Sequence, residues 1–418
     1  MTSKVSCSRF LGIVSLLCFV SCVGNAQTSP LQNQMPRISF PAGKSVVEVP
    51  FEVDRSWVVI PVSINNSRPL RFVLDTGAAG AFLNNPALAD QLNLTSSGTT
   101  EVRGAGGGPN STFSIAKNVN FKIGDVELSD GTLLVRAPSG PGPSMPSPSD
   151  GVIGGPVFAG LVVELDWVKQ VLKLYPSSYR YAGKGAVLPL TFDEGGRPYT
   201  TANVVIEGDT SIPVKLVVDT GASGSAVWLD LGSHPNIKLP RSAISAVLGR
   251  GASGEVRGYI GRVKSIKLGN YQMTGVLASF RDESSGTLGL GGRQGGLGAE
   301  LLGRFKVIFD YSRRQMILEP NSNFNDPFEF TMSGLGFMPM RSGAQGLRVV
   351  QVFDGSPAKE AGLMVGDEIL AINGRDIREF KPSEVLQIFR IDKGEALVLS
   401  VRRGSEQFEK KLKLRRFI

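Results

Sequence analysis

The sequence predicts a mainly β protein, with one β domain present twice and a smaller α+β module after it. Three observations predict this. The chain holds 51 Gly and 25 Pro in 418 residues, so it is turn-rich. Short apolar runs rich in Val, Ile and Leu alternate with polar turns, which is the pattern of strands. The tetrapeptide Asp75-Thr76-Gly77-Ala78 returns as Asp219-Thr220-Gly221-Ala222, each copy following an apolar run.

The N-terminal segment reads as an export signal. Lys4 and Arg9 precede an apolar stretch from Phe10 to Val20, too short to span a bilayer. Gly24-Asn25-Ala26 then places small residues before Gln27, so residues 1–26 are expected to be removed. Phe19-Val20-Ser21-Cys22 offers a second reading, in which Cys22 carries a lipid anchor. Under both readings the body works outside the cytoplasm, periplasmic or secreted.

The first half follows in order. Val58–Val62 and Arg71–Leu74 are strands around an Asn65-Asn66-Ser67 turn. Gly104-Ala105-Gly106 marks a Gly-rich hairpin, and Ala137–Ser149 is a Pro/Ser/Gly loop. Val162–Leu165 and Val171–Leu174 flank a turn at Asp166-Trp167. At an offset of 144 residues Pro69, Gly154, Asp166, Trp167 and Pro176 meet Pro213, Gly298, Asp310, Tyr311 and Pro320. At 145, the first hairpin meets Gly249-Arg250-Gly251. The expected domains are 44–180 and 186–322, joined by Tyr181–Gly185. Gly296 stands where the first half has Val152, which leaves the support of the second Asp loop in question.

Scarce residues narrow the chemistry. His234 is the one histidine, and Cys7, Cys18 and Cys22 are the three cysteines. Multi-His zinc sites and Cys–His chemistry have no residues in the body of the chain, and a Ser-His-Asp triad would depend on His234 alone. The formal net charge is +8, without a cationic stripe interleaved with aromatics, so no nucleic acid is expected as partner. Gly249 to Gly254 spells GxGxxG but lacks the strand-to-helix setting of a dinucleotide site. Carboxylates remain for hydrolysis.

With D-T-G-A twice, each copy after an apolar strand and before a Gly-rich hairpin and an apolar-Gly pair (Ile153-Gly154; Leu297-Gly298), the chain resembles the aspartic peptidases of the pepsin and retropepsin clan. The resemblance covers roughly residues 44–322, and the short halves look like retropepsin-type lobes. It implies that Asp75 and Asp219 are a catalytic dyad sharing one proton, because like charges in contact cannot both ionise. It implies that Thr76 and Thr220 brace the two loops, and that Gly77 and Gly221 allow their close approach. It makes flaps of Gly104, Ala105, Gly106 and of Gly249, Arg250, Gly251. This chemistry needs no cofactor and no metal, and both lobes in one chain make an oligomer unnecessary. Alanine at 78 and 222 withholds a hydroxyl that would stabilise the charged dyad, so activity is expected at mildly acidic to near-neutral pH.

The C-terminal 90 or so residues follow a different pattern. Gly334-Leu335-Gly336-Phe337, then Gly355-Ser356-Pro357-Ala358 to Gly362-Leu363, then Gly366-Asp367-Glu368 to Asn373-Gly374 are similar to PDZ domains. Residues 328–418 are expected to form one, with a final strand over Lys411–Phe417. The resemblance implies that the amides at Gly334, Leu335, Gly336 and Phe337 cradle a peptide's terminal carboxylate. A helix from Pro382 to Arg390 lines the groove, with Leu386 facing the ligand. The expected function is an exported aspartic endopeptidase acting on polypeptides, with C-terminal peptides bound at the PDZ groove. The alternative is a non-catalytic peptide-binding scaffold.

Overall fold

A computed structural model describes residues 35–54, 56–137, 149–224, 226–251, 253–282, 292–339, 346–380, 382–390 and 396–418. The expected export segment, Cys22 and most of the Ala137–Ser149 loop lie outside them. The chain is mainly β.

In the first lobe, strand Trp57–Ile64 turns back into Leu70–Leu74. Asn65 and Asn66 make that turn in the left-handed region, at φ 48° and 63°, which asparagine tolerates. Strand Gly151–Ile153 then inserts between Leu70–Leu74, to which it is parallel, and Ala81–Leu83, to which it is antiparallel. This insertion places Ile153 C=O to accept from Asp75 N–H at 2.9 Å. The second lobe repeats the device. Gly295–Leu297 lies between Ile212–Val218 and Val227–Asp230, and Leu297 C=O accepts from Asp219 N–H at 3.0 Å. Two short helices, α1 (Gly155–Phe158) and α2 (Ala299–Leu302), follow the inserted strands.

A further sheet belongs to both lobes. Its order among the described residues is Ala186–Pro189, Gln315–Pro320, Phe305–Asp310, Leu161–Asp166, Val171–Pro176, Val47–Pro50. The lobes meet in its centre, where Val162 faces Asp310 and Asp166 faces Lys306. One apolar cluster runs through it from Leu74 and Val163 to Val218 and Phe309.

The repeat is not uniform in register. Val59 faces Val73, but Tyr199 faces Val217, so strand Pro198–Val205 corresponds to Trp57–Ile64 at an offset of 140, while Ile212–Val218, which runs into Asp219, stays at 144. The second hairpin is four residues longer, and Arg197 stands at the position of Trp57. Gly296 is also explained. In the first lobe Val152 pairs with Phe82; in the second, Gly296 pairs with Trp228. A Cβ on Gly296 would collide with the Trp228 ring, so the larger ring fills the volume the smaller residue vacates. The second Asp loop keeps its support.

The C-terminal unit has its own core around Val349, Ile369, Ile372, Phe389, Leu399 and Val401. It carries α3 (Pro357–Glu360) and α4 (Pro382–Ile388). It is not a loose appendage. Phe330, Phe353 and Phe417 pack with centroids 5.2–6.3 Å apart, and Phe353 joins the core of the lobes. Arg262 of the second lobe donates to the main-chain oxygens of Gly275, Phe328 and Ile418 at 2.7–3.0 Å. This corrects the expected last strand. The strand is Glu406–Leu412, and beyond Leu412 the chain leaves the sheet because Phe417 turns into the aromatic cluster.

Gly296→Val should destabilise the protein by roughly 1–3 kcal/mol through overpacking against Trp228. Adding Trp228→Phe, which recreates the first lobe's Val–Phe pair, should recover much of the loss in denaturant unfolding. Additive losses in the double variant would contradict the volume-exchange reading.

Candidate active site

Each strand ending in Leu74 or Val218 delivers its aspartate into a tight loop at the lobe interface. Asp75 is 2% exposed and Asp219 0%. In each loop the carboxylate Oδ1 accepts from the amide two residues on, Gly77 N–H at 2.7 Å and Gly221 N–H at 3.0 Å. The main-chain oxygens of Asp75 and Asp219 accept from Ala78 and Ala222 at 3.2 and 3.3 Å. These local bonds are why Asp and Gly occur two apart.

The loops are tied across the interface by the threonines. Thr76 Oγ1 donates to Val218 C=O at 2.7 Å and accepts from Thr220 N–H at 3.0 Å. Thr220 Oγ1 donates to Leu74 C=O at 2.8 Å and accepts from Thr76 N–H at 3.0 Å. The glycines complete the approach. A Cβ on Gly77 would stand 2.8 Å from Asp219 Cγ, and one on Gly221 would collide with the Asp75 carboxyl group. Each carboxylate therefore lies on the backbone of the other lobe, a position no side chain at 77 or 221 permits.

Above the loops the two hairpins hold each other. Gly108 N–H donates to Ser253 C=O at 2.6 Å and Gly107 N–H to Glu255 C=O at 3.4 Å. Ser253 N–H donates to Ala105 C=O, and Gly104 N–H to Ser253 Oγ, both at 3.0 Å. Gly104, Ala105 and Gly106 thus lie in the contact, as does Gly251 against Ala105. Gly249 and Arg250 lie further along their strand, paired with Val256 and Glu255.

Other residues of the site have no marker in the sequence. Tyr311, the counterpart of Trp167, stacks on Phe158 at 5.5 Å. Burial, then the charges of Asp75 and Asp219, push its hydroxyl well above the ordinary tyrosine range. It stays protonated beside the carboxylates. Ser253 is signalled only by its place after a Gly-rich strand. Arg281, Arg293 and Asp230 form a buried group in the second lobe, where Arg281 donates to Asp230 Oδ1 at 2.6 and 2.8 Å. Burial, aided by the charge of Arg281, lowers Arg293 to about 10. The loop of Gly195, closed by an Asp193–Arg197 ion pair at 2.6 Å, lies against Ala79 of the first lobe. His234 is half-exposed, its Nδ1 accepting from Asn236 N–H. Among the described residues no cluster of three or more His, Cys, Asp or Glu could hold a metal ion.

In the C-terminal unit, Gly334 adopts φ +74°, and a Cβ there would collide with Ser356. Leu335 is buried, and its N–H donates to Ser333 Oγ at 3.1 Å, so the chain itself engages one amide of the expected cradle. Gly336 lies at a bulge, and Phe337 packs on Phe389 at 5.3 Å. Leu386 is half-buried on α4, beside the core-facing Val385. Strand Leu335–Pro339 is an edge of its sheet.

Removing a threonine hydroxyl strands two buried main-chain groups of the opposite lobe. Thr76→Val and Thr220→Val should each cost roughly 2–4 kcal/mol, and equally so, because their bonds are reciprocal. Serine at either position should restore most of the loss. Wild-type denaturant stability in either valine variant would show that the cross-bonds carry little.

An aspartyl protease family matches residues 60–157 and again 202–301, and a PDZ domain family matches 348–403. Proteins named probable CtpA-like serine protease, from Staphylococcus aureus strains COL and N315, are 29% identical over 115 residues, or 28% of this chain. The chain spans under a quarter of the length of these curated relatives, 23%. The solved aspartic proteinase from Irpex lacteus is 14% identical, with a TM-score of 0.46, over 68% of this chain and 99% of that one. The two aspartyl protease matches fall on the two lobes that carry Asp75 and Asp219, and the third on the C-terminal unit: the chain matches a two-lobed aspartyl protease with a C-terminal PDZ domain.

Proposed function

We propose that the protein is an exported aspartic endopeptidase in which Asp75 and Asp219 act as a dyad. The observation that supports this most is the seating of each carboxylate on the other lobe's glycine, with both loops cross-braced by Thr76 and Thr220. Two carboxylates so placed share a proton. The ionised one takes a proton from a water as it attacks the scissile carbonyl, and the protonated one donates to the carbonyl oxygen. Collapse passes a proton to the leaving amine and returns the dyad to its starting state. The flap residues Gly104, Ala105, Gly106 and Gly251 close over an extended chain and keep bulk water out. The Leu335–Pro339 edge offers main-chain groups to a peptide added as a strand, with Phe337 and Leu386 toward its side chains. The N-terminal apolar segment supports export, with Cys22 as the site of a lipid anchor if it is processed that way.

The chemistry is tested on denatured casein. Asp75→Asn and Asp219→Asn should each abolish cleavage while the fold survives. A statine-type inhibitor should block the wild type, and a fluorophosphonate, which labels active serines, should not. Cleavage by either Asn variant would overturn the dyad, and wild type without activity would favour the peptide-binding scaffold.

The pH profile should be bell-shaped, with its maximum at mildly acidic to near-neutral pH. Its alkaline limb is the loss of the shared proton. A hydroxyl bonded to the charged dyad lowers its pKa, so Ala78→Ser with Ala222→Ser should move that limb toward acid. Activity confined to strongly acid pH, or a limb that does not move, would remove this reasoning.

A further inference from the structure

Trp57 carries a contact that the double aspartate loop does not predict. It opens a first-lobe strand and is fully buried in a cluster with Val73, Ala78, Phe82, Val102 and Phe113. Ala78 belongs to the loop of Asp75, and Val102 and Phe113 lie on the two strands of the first flap. From that anchorage the indole Nε1–H crosses to the second lobe and donates to Gly221 C=O at 2.5 Å.

That carbonyl belongs to the peptide unit joining Gly221 to Ala222, whose N–H donates to the main-chain oxygen of Asp219. The unit is thus held at both ends, by Trp57 and by Asp219 itself. The N–H on the other side of Gly221 donates to Asp219 Oδ1. Arg197, which stands at the matching position of the second lobe, is bound to Asp193 of its own lobe.

We propose that Trp57 is a positioning residue for Asp219, fixing through Gly221 C=O the backbone that presents the Gly221 amide to the carboxylate. This rests on the dyad reading. It deepens that reading by making the first lobe a determinant of the second aspartate's environment.

Trp57→Phe keeps an aromatic ring and removes the donor, leaving Gly221 C=O buried without it. Steady-state cleavage of a fluorogenic peptide taken from the casein digest should show kcat reduced about tenfold with KM changed less than about twofold. The Gly221 amide stabilises the charged form of Asp219, so a loosened bond raises the lower apparent pKa of the dyad. The acid limb should therefore move to higher pH, which loss of packing alone would not do. Site-specific β-(3-benzothienyl)alanine, which replaces the indole N–H by sulfur at nearly constant shape, should reproduce the effect even if the phenylalanine variant folds poorly. A folded donor-less variant with wild-type kcat and acid limb overturns the proposal. So does a loss that lies wholly in KM. Asp219→Asn, measured alongside, separates the two claims. If it is active, the dyad reading fails and takes this proposal with it. If it is dead while the Trp57 variants are unaltered, the proposal alone fails.

Discussion

Four hydrogen bonds between Thr76 and Thr220 and the opposite main chain are the constraint on which the rest depends. Each hydroxyl accepts from one lobe's loop and donates to its strand, so neither loop is satisfied within its own half. Burying these groups without the partner would cost about 1–3 kcal/mol apiece. The duplicated domain is therefore obliged to close on itself. That closure, rather than either lobe, sets two carboxylates against two glycines. The shared sheet does the same at larger scale, with the paired strands Leu161–Asp166 and Phe305–Asp310 at its centre.

Within this symmetry the lobes diverge where the constraint allows it. Phe82 and Val152 become Trp228 and Gly296, conserving volume across one strand pair. Trp57, bonded across the lobes, has as its counterpart Arg197, a cation paired with Asp193. The second lobe also buries two arginines on one aspartate, with Arg281 over the Trp228 ring at 5.0 Å. Desolvating that group costs free energy, and among the described residues the first lobe has no buried arginine. The core tolerates such exchanges as long as the loops at 75 and 219 keep their backbone geometry.

The same division explains what could be read from the sequence. The aspartate loops are local, with Asp, Thr and Gly in consecutive places, so their spacing is visible in the chain. The PDZ unit is legible for the same reason, since its turns carry Gly334, Gly355, Gly366 and Gly374, all at positive φ. Trp57, Ser253 and Tyr311 act through partners 164, 149 and roughly 90 or more residues away, and nothing beside them in sequence marks this. The 140-residue register before Asp219 escaped because the tetrapeptide is in step at 144, and the extra residues fall in a turn. The strand assigned to Lys411–Phe417 had the right alternation. It failed because a ring three-way contact around Phe417 outweighs a ladder at a sheet edge.

Two parts of the molecule are held by contacts of different kinds. The PDZ unit is seated by three packed aromatic rings and by Arg262 bridging three main-chain oxygens. The two Gly-rich hairpins are joined by four hydrogen bonds, three between main-chain groups and one to the Ser253 hydroxyl, one of them 3.4 Å long. At about 1 kcal/mol net for a neutral bond, the contact between the hairpins amounts to ~3–4 kcal/mol. In the proposed endopeptidase, a substrate that replaced those bonds with its own backbone would recover the energy of opening them. The glycines at the tips let the two hairpins meet through main-chain groups and the Ser253 hydroxyl, and in the proposed enzyme those groups would exchange hairpin-to-hairpin bonds for bonds to an extended substrate.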